Sequence, residues 1–315
     1  NRTTTVTDSR GNITQYEYND YGLVTKTIDS QNNTQSFIWD NSLNKTSSTN
    51  QNGFTSAFSY DQRENLLSIT DPLTNITTFT YEPNFDFISS KTGPLGNRTE
   101  YYYDVNGNLV LTKDALNNIT NYFYTRGLLS RIKDANNNIT LFDYDAYSNL
   151  VQITDSLNNK TSFTYDILGN KTQTIDSQNK ATGFSYDLLN RLTRITYPDN
   201  STATYAYDPL GNLISFTDQN ANTTTYSYDA AGRLIRQTDA QGNATVYIFD
   251  TEGNRTVVTD ANANTARYFY DSLNRLIKAV DPLNNQTLFS YDPNGNLISR
   301  TGANNNTINY TYDAL

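Results

Sequence analysis

The sequence predicts an all-β protein: tandem 21-residue β-hairpin repeats that form one spiralling antiparallel sheet, closed into a hollow tube or shell. Three observations support this fold class. An aromatic residue recurs with a fixed period, a second aromatic residue lies two positions before it in every period, and the composition is too polar for a deep core. Hydrophobic residues make up only 36% of the 315 residues, so the aromatic side chains must form a thin, extended layer.

The period is set by fifteen aromatic residues, here called anchors, most of which are followed by Asp. Successive anchors lie twenty-one positions apart in twelve of the fourteen intervals. One of the other two intervals is longer by a single position and the other is shorter by a single position, so they cancel. Fifteen such repeats account for the full length of 315 residues. The anchors are Tyr18, Trp39, Tyr60, Tyr81, Tyr103, Tyr124, Tyr144, Tyr165, Tyr186, Tyr207, Tyr228, Phe249, Tyr270, Tyr291 and Tyr312.

The first element of each repeat is a strand that ends at the anchor. Phe58 precedes Tyr60 by two positions and Phe163 precedes Tyr165 in the same way. Side chains two apart share one face of a strand, and the Thr residues between them favour β-structure. No apolar stripe with the 3.6-residue period of a helix is sustained, so a helical alternative is weak.

A turn, a second strand and a second turn complete each repeat. Residues 208–212 read Asp-Pro-Leu-Gly-Asn, and Pro early with Gly-Asn late suits a tight reversal. Residues 213–217 form the second strand, and Asp218 opens the second turn. About thirty such strands, spaced about 4.8 Å apart, would make a ribbon of roughly 140 Å that must twist.

The composition argues against several classes of function. Cys and His are absent, which argues against a conventional zinc site, a thiol nucleophile and a Ser-His-Asp triad. The net charge of −9 disfavours binding to nucleic acid, and no apolar run is long enough to span a membrane in this window. We predict no enzyme activity, no metal and no cofactor. Asp recurs at turn starts, where an Asx-turn is a better explanation than a calcium ligand.

Three repeats carry a recognisable motif. Residues 228–234 read Tyr-Asp-Ala-Ala-Gly-Arg-Leu, and residues 186–192 and 270–276 are close variants. This pattern resembles the YD-repeat, or Rhs-repeat, family, and the resemblance extends over essentially the whole chain. It implies spiralling hairpins that form a hollow shell or barrel, as in bacterial Rhs and wall-associated proteins, toxin-complex shells and animal teneurins.

The chain departs from the toxin-bearing members in lacking a closing core segment and a self-cleaving junction. Asn often replaces the family's Arg, at Asn108, Asn170, Asn212, Asn254 and Asn296.

The phase of the two ends bears on domain organisation. Read from tail to head, residues 312–315 followed by residues 1–3 give Tyr-Asp-Ala-Leu-Asn-Arg-Thr, in phase with the internal repeats. We therefore expect residues 1–315 to be a single continuous array of about fifteen repeats, cut from a longer chain. An arbitrary boundary is the alternative explanation.

Asn-x-Thr acceptor sequences occur seventeen times, whereas random placement of 44 Asn and 46 Thr would give about six. This excess predicts N-linked glycans on an exported protein. Repeat bias is the alternative, because Asn suits turns, Thr suits strands, and a periodic sequence copies any coincidence. The acceptors are Asn1, Asn12, Asn32, Asn44, Asn75, Asn97, Asn118, Asn138, Asn159, Asn170, Asn200, Asn222, Asn243, Asn254, Asn285, Asn305 and Asn309.

Three functions remain open at this stage. The first is a glycan-coated structural fibre or sheath, extracellular or on the cell surface, whose main partner is more of the same array. The second is the wall of a hollow shell that encloses a toxin or other polypeptide, and the third is an adhesion or glycan-binding module. An adhesion module predicts an appended head without repeats, and a container predicts a plug and a toxin-like C-terminus in the full gene.

Overall fold

A computed structural model describes residues 2–313, and within these residues the chain consists of thirty β-strands and no helix. The described strands therefore confirm the predicted all-β, tandem-hairpin fold. The chain divides into two compact units, residues 1–97 with 245–315, and residues 98–244. The prediction of one continuous array is not tested by this division.

The first unit contains two runs of strands. They are β1 (Arg2–Thr7), β2 (Ile13–Tyr18), β3 (Val24–Ile28), β4 (Thr34–Trp39), β5 (Lys45–Thr49), β6 (Thr55–Tyr60), β7 (Leu66–Thr70), β8 (Ile76–Tyr81), β9 (Ile88–Thr92), and, after the second unit, β24 (Ala244–Phe249, from the boundary residue), β25 (Arg255–Thr259), β26 (Thr265–Tyr270), β27 (Leu276–Val280), β28 (Gln286–Tyr291), β29 (Leu297–Thr301) and β30 (Thr307–Asn309).

The second unit contains the intervening fourteen strands. They are β10 (Arg98–Tyr103), β11 (Leu109–Lys113), β12 (Ile119–Thr125), β13 (Leu128–Lys133), β14 (Ile139–Tyr144), β15 (Leu150–Thr154), β16 (Lys160–Tyr165), β17 (Lys171–Ile175), β18 (Ala181–Tyr186), β19 (Leu192–Thr196), β20 (Thr202–Tyr207), β21 (Leu213–Thr217), β22 (Thr223–Tyr228) and β23 (Leu234–Thr238).

Within each unit, strands that follow one another in the chain pair antiparallel, and two kinds of hairpin alternate. Each repeat has two loops. The first loop directly follows an anchor, and the second loop directly precedes the strand that ends at the next anchor. Strands joined by a first loop, such as β6 and β7, pair at four positions with a register shift beside the anchor. Strands joined by a second loop, such as β7 and β8, pair at only three positions, except for β1 and β2, which pair at six. Beyond this first hairpin, the two strands of a second-loop hairpin thus stop pairing before they reach the next first loop.

Alternation along the strands gives the sheet one covered and one open face. In β6, Phe58 and Tyr60 are half-buried while Thr55, Ala57 and Ser59 are exposed. Ala203 is the one hydrophobic residue that is fully buried within residues 2–313. The aromatic residues therefore form a thin layer rather than a deep core, as the low hydrophobic content predicts.

The two irregular intervals are absorbed in first loops. After Tyr81 the loop has an extra residue, and the Glu82 N–H donates to the Phe87 carbonyl at 2.9 Å. After Tyr124, strand β12 runs to Thr125 and β13 begins at Leu128, so only Arg126 and Gly127 make the turn. Both have positive φ, 55° and 78°, as the tightest hairpin turns require.

Candidate functional site: the loop rows and the wrap junction

Most loops of both kinds are built around an aspartate at their first position. In the loop of residues 61–65, the Asp61 N–H donates to the Asn65 carbonyl at 2.9 Å and the Glu64 N–H donates to the Asp61 carbonyl at 3.1 Å. One carboxylate oxygen of Asp61 accepts the N–H groups of Arg63 and Asn65, at 2.8 and 2.9 Å. The other accepts the Asn65 side-chain amide at 3.2 Å. The carboxylate thus satisfies donors that the turn leaves without a backbone partner.

The residue at the fifth loop position pairs with the aspartate whether it is Asn or Arg. In three first loops an Arg guanidinium takes the place of the Asn amide, as Arg191 does towards Asp187 at 2.7 Å and Arg233 towards Asp229 at 2.6 Å. Asn at this position therefore preserves the capping interaction of the family's Arg. Sequence reasoning predicted the Asx-turn and missed this pairing, although Asp and Asn recur four residues apart in most loops.

These contacts lower the pKa of the loop aspartates. The side-chain amide of Asn12 is the largest contribution that lowers the pKa of Asp8 below its ordinary value of 3.8. For Asp271, burial alone would raise the pKa, but hydrogen bonds from the Arg275 N–H and guanidinium outweigh it and the pKa is lowered. A depressed pKa means that the charged carboxylate stabilises the folded loop.

The anchors connect each repeat to the one before it. Eleven anchor hydroxyls donate to the backbone carbonyl of the residue fifteen positions earlier, such as Tyr165 to Leu150 at 2.9 Å and Tyr228 to Leu213 at 2.8 Å. The indole N–H of Trp39 donates to the Val24 carbonyl in the same way, at 2.8 Å. The eleven are Tyr60, Tyr81, Tyr124, Tyr144, Tyr165, Tyr186, Tyr207, Tyr228, Tyr270, Tyr291 and Tyr312.

Two anchors differ from these. The Tyr18 hydroxyl lies 2.9 Å from the Thr4 hydroxyl, and Phe249 has no hydroxyl. All anchors are half-buried except Tyr312, which is 51% exposed.

The accepting carbonyl belongs to the residue that directly follows a first loop. The Leu66 carbonyl accepts from Tyr81. Pairing between β7 and β8 extends from Thr70 back to Ser68 and stops there, two residues short of Leu66. The separation of these two strands leaves the carbonyl without a ladder partner, and the anchor hydroxyl supplies one. Burial in this position raises the pKa of the Tyr81 hydroxyl, with the Asp61 carboxylate adding to the shift.

Cations occupy the same covered face between the aromatic rings of successive repeats. The ammonium of Lys45 lies 5.6 Å from the centre of the Phe37 ring and 5.3 Å from that of Phe58. Lys171 lies between Phe163 and Phe184 at 5.5 and 5.3 Å. These distances are those of cation–π contacts, so basic side chains substitute for the Leu that is common at this position.

Within the first unit, second loops from the start of the chain lie against first loops from its end. We call this contact the wrap junction; it joins loops 8–12, 29–33 and 50–54 to loops 250–254, 271–275 and 292–296. Arg10 contacts Glu252, Ser30 contacts Ser272 and Asn52 contacts Asn294, and each pair is separated by 242 residues. This separation is close to eleven and a half repeats. Because the two loop types alternate every half repeat, it places a second loop on a first loop.

The wrap junction is held by polar side-chain contacts. The Ser30 and Ser272 hydroxyls are 3.0 Å apart, and the Asn52 amide donates to the Asp292 carboxylate at 2.7 Å. The guanidinium of Arg275 donates to the Gln31 amide oxygen at 2.8 Å. Ser9 also donates to Glu252. No sequence signal predicted this pairing, because the period sets the repeat and not the number of repeats in a wrap.

The predicted glycan acceptors fall into two groups. Eleven donate their side-chain amide to the aspartate that opens their loop: Asn12, Asn44, Asn75, Asn118, Asn138, Asn159, Asn170, Asn222, Asn243, Asn254 and Asn285. Of these, Asn12, Asn44, Asn75, Asn170 and Asn254 are half-buried and the rest are exposed. Asn32, Asn97, Asn200, Asn305 and Asn309 are exposed and have no such pairing. Asn1 lies outside the described residues.

Two negative findings concern metal ligands and membrane spans. No group of three or more Asp or Glu side chains within residues 2–313 could hold a metal ion. In the same part of the chain, no helix is long and apolar enough to cross a membrane. The features of the described residues that bear on function are the first and second loops, the aromatic layer and the wrap junction.

Comparison with known proteins identifies the repeat. The model of the family described as Teneurin YD-shell matches residues 149–287 and 221–315, which together are more than half of the chain. No curated protein matches the chain as a relative.

Solved structures share the fold at low sequence identity. A TcdB2-TccC3 structure without its hypervariable C-terminal region aligns with a TM-score of 0.65 and 16% identity over 94% of this chain and 21% of that one. A Photorhabdus luminescens Tc holotoxin pore aligns with a TM-score of 0.58 and 15% identity over 95% and 22%. The chain thus spans about a fifth of the length of the chains it matches. The family match shows that this chain belongs to the YD-repeat family, as a structural module of the Teneurin YD-shell type.

Proposed function

We propose that this chain is a non-catalytic wall segment of a long, exported YD-repeat sheath or fibre, located outside the cell or on its surface. Successive wraps of hairpins would lie side by side and be joined loop to loop. The wrap junction is the observation that carries this proposal, because it links residues 242 apart through side chains rather than through the sheet.

Such a wall would resist load in two directions. Along the ribbon, backbone hydrogen bonds and the anchor hydroxyls join each repeat to the next. Across the ribbon, polar loop contacts join one wrap to another, and each contributes modestly because the loops are partly solvated. Many modest contacts in a row give a joint that tolerates local opening.

A disulfide across the wrap junction tests the proposal. The Ser30 and Ser272 hydroxyl oxygens are 3.0 Å apart, and the chain has no cysteine, so Ser30→Cys with Ser272→Cys would create a single pair. We expect oxidation to close this loop in the folded protein and to slow unfolding, measured by electrophoresis without reductant and by denaturant melting.

The matched control is Ser30→Cys with Ser290→Cys, because Ser290 lies within strand β28 and bonds to Ser299 at 2.6 Å. It should not cross-link under the same conditions. Equal cross-linking of both pairs, or none in the first, would contradict a wall joined at these loops.

The wall of a container is a second candidate. The observation that favours it is the fit of 94% of this chain to a structure of TcdB2-TccC3 without its hypervariable C-terminal region. If this chain enclosed a polypeptide, a second polypeptide would co-purify with the full-length protein and survive protease until the wall is unfolded. Regular filaments in micrographs with no protected polypeptide would favour the sheath.

We also propose that the wall is N-glycosylated. The dense Asn-x-Thr sequences support this, and the exposed acceptors Asn97, Asn200 and Asn309 have no amide contact that a glycan would disturb. We expect these to be occupied more fully than Asn44 and Asn170, which are half-buried and paired with aspartates. Glycopeptide mass spectrometry of native material measures each occupancy, and an intact mass equal to the bare 35.6 kDa chain would contradict the proposal.

A further inference from the structure

In the second unit, the first loops carry a row of exposed apolar side chains. Four successive first loops present this row at their second and third positions. Its members are Tyr147, Ile167, Leu168, Leu188, Leu189 and Leu210, with exposed fractions of 87, 100, 67, 99, 67 and 82%. Neighbouring hairpins are two strands apart, about 10 Å, so the four loops form a row about 30 Å long. Large exposed apolar side chains in a continuous row indicate a contact surface.

The same loop positions are covered in the first unit. There, Ser272 and Asn294 occupy the second and third positions of first loops, and they contact Ser30 and Asn52 of second loops at 3.0 and 3.2 Å. In the wrap junction, the loop that lies on a first loop is therefore a second loop. The covered first loops carry Ser272 and Asn294 beside Leu273 and Pro293, whereas the row in the second unit carries large apolar side chains.

Two second loops of the second unit carry matching apolar side chains. Leu116 and Leu157 occupy the third loop position and are 82 and 79% exposed. This is the position of Gln31 and Asn52 in the wrap junction, and Gln31 contacts both Asp271 and Ser272 there. A second loop carrying Leu at this position would place that side chain on the second and third positions of a first loop.

A cleft suited to such a side chain opens between the first two loops of the row. It has a volume of about 540 Å³, and Tyr147, Tyr165, Ile167 and Leu168 contribute to its lining. A leucine side chain enters a cleft of this size without displacing the loops, and its burial is favourable.

We propose that a second copy of this chain docks on the apolar first-loop row through its own second loops. Leu116 and Leu157 of that copy contact the row, in the loop-on-loop arrangement of the wrap junction. This extends the proposed wall from one chain to successive copies and rests on that function. The two surfaces are different, so the contact is heterologous and each copy leaves one row open for the next.

Two double variants of the full chain test the proposal by sedimentation velocity over a concentration series. Ile167→Ser with Leu188→Ser interrupts the first-loop row by removing its two most exposed side chains, and Ser occupies the same loop position at Ser272. Leu116→Asn with Leu157→Asn removes the second-loop row, and Asn occupies that position at Asn52. The wild-type chain should grow in mass with concentration, while each variant alone should remain at the mass of one chain.

Mixing the two variants identifies the heterologous contact. Each keeps the row that the other lacks, so an equimolar mixture should form a species of twice the single-chain mass and grow no further. Ile38→Thr with Ile248→Thr is the control, because these side chains are 62 and 53% exposed on strands and lie outside both rows. This control should assemble as the wild type does.

The proposal would be overturned if the wild-type chain keeps the mass of one chain at every concentration. It would also be overturned if the wild type assembles and the first-loop variant assembles to the same extent. If the variants unfold, single cysteines provide the readout: Leu157→Cys in one copy and Leu188→Cys in another should cross-link in the mixture, and absence of that product would also refute docking. If the Ser30→Cys, Ser272→Cys variant forms its disulfide in chains that do not assemble, the wall proposal stays intact and only the docking proposal is removed.

Discussion

At the scale of single residues, the anchor tyrosine hydroxyl donates a hydrogen bond to a backbone carbonyl that a neighbouring strand would otherwise satisfy. The strands of a second-loop hairpin stop pairing before the next first loop, as β7 and β8 do, and Leu66 is left with an open carbonyl. The Tyr81 hydroxyl reaches it at 2.9 Å. Tyr is therefore favoured over Phe at the anchor because it contributes both a ring to the layer and a donor to this carbonyl.

Replacing Tyr165 by Phe tests this role. The variant keeps the ring and loses the bond to the Leu150 carbonyl, so we expect a loss of about 0.5–1.5 kcal/mol in local stability. Tyr165→Ala also removes the ring and should cost about 3–5 kcal/mol, confined to neighbouring repeats. Amide hydrogen exchange along β14–β18 measures both effects.

The control for the tyrosine variants is Tyr147→Phe, because Tyr147 is 87% exposed at a loop tip and makes no such bond. It should leave exchange rates unchanged. A loss in Tyr165→Phe no greater than in this control would show that the hydroxyl contributes nothing.

The loop aspartates predict acid sensitivity. Their pKa values are lowered, by the Asn12 amide for Asp8 and by the Asn108 amide for Asp104, from an ordinary 3.8. Since the folded pKa is the lower one, this stabilisation is complete above the ordinary value and disappears as the pH falls through the folded value. We expect the melting temperature to fall steeply below about pH 4, measured by circular dichroism.

The tyrosines predict the opposite limit. Burial raises the pKa of Tyr60, Tyr186 and Tyr228 above 10.0, with nearby aspartates adding to each shift. A raised pKa stabilises the fold below the ordinary value and the gain is lost as the pH rises through the folded value. Tyrosinate absorbance should therefore show a group that ionises late and together with unfolding. A single ordinary titration of all tyrosines in the folded protein would contradict this.

At the scale of the loop and hairpin, the fourth loop position determines whether the chain can reverse. It has positive φ in Gly295 (90°), Asn274 (62°) and Glu64 (67°), among others. Gly reaches this region without strain and Asn tolerates it, which explains why Gly and Asn dominate there. The carboxylate at the first position then fixes the loop through the third and fifth residues.

A glycine substitution isolates the backbone contribution. A Cβ at Gly295 would meet no atom within 4 Å, so Gly295→Ala should destabilise only through its φ, by about 1 kcal/mol. Gly295→Asn should recover part of the loss. Gly302→Ala, at a position without positive φ and with equally open surroundings, should be close to neutral. Denaturant melting compares the three, and equal effects at Gly295 and Gly302 would refute the argument.

The sequence was informative about local structure and silent about long-range pairing. Strand lengths, loop chemistry and the aromatic face follow from the alternation within each strand and from the repeat period, so elements such as β20 and β21 lie where the pattern places them. The link from Tyr228 to Leu213 depends on where strands separate, which the pattern does not encode. The partner of Ser30 depends on how far each repeat turns, a small angle summed over eleven repeats, and no local signal reports it.

At the scale of the whole chain, the length of a wrap decides which loops meet. A separation of 242 residues brings second loops onto first loops. The second position of the first loop differs between repeats, as Ile167, Ser272 and Pro293 show. The fold can therefore keep its repeat constant and vary its lateral contacts independently. Polar pairs such as Asn52 with Asp292 then define one register, since a shift by one repeat would break all of them together.

Asn52→Asp tests whether that register depends on charge. The Asn52 amide donates to Asp292 at 2.7 Å; burial alone would raise the pKa of Asp292, but this bond and that from Asn296 outweigh it and the pKa is lowered. A carboxylate at position 52 would face Asp292 and weaken the wrap junction by about 1 kcal/mol at neutral pH. Asn52→Ala removes the bond without adding charge and should cost less.

Hydrogen exchange in loops 50–54 and 292–296 measures the opening, and added salt should reduce the effect of Asn52→Asp but not that of Asn52→Ala. The matched control is Asn220→Asp, an exposed residue at the same loop position in the second unit. It adds the same charge away from the wrap junction and should leave exchange there unchanged. Equal exchange in Asn52→Asp and Asn220→Asp would mean that the junction loops do not hold one another, and the lateral joint would have to be carried by other residues.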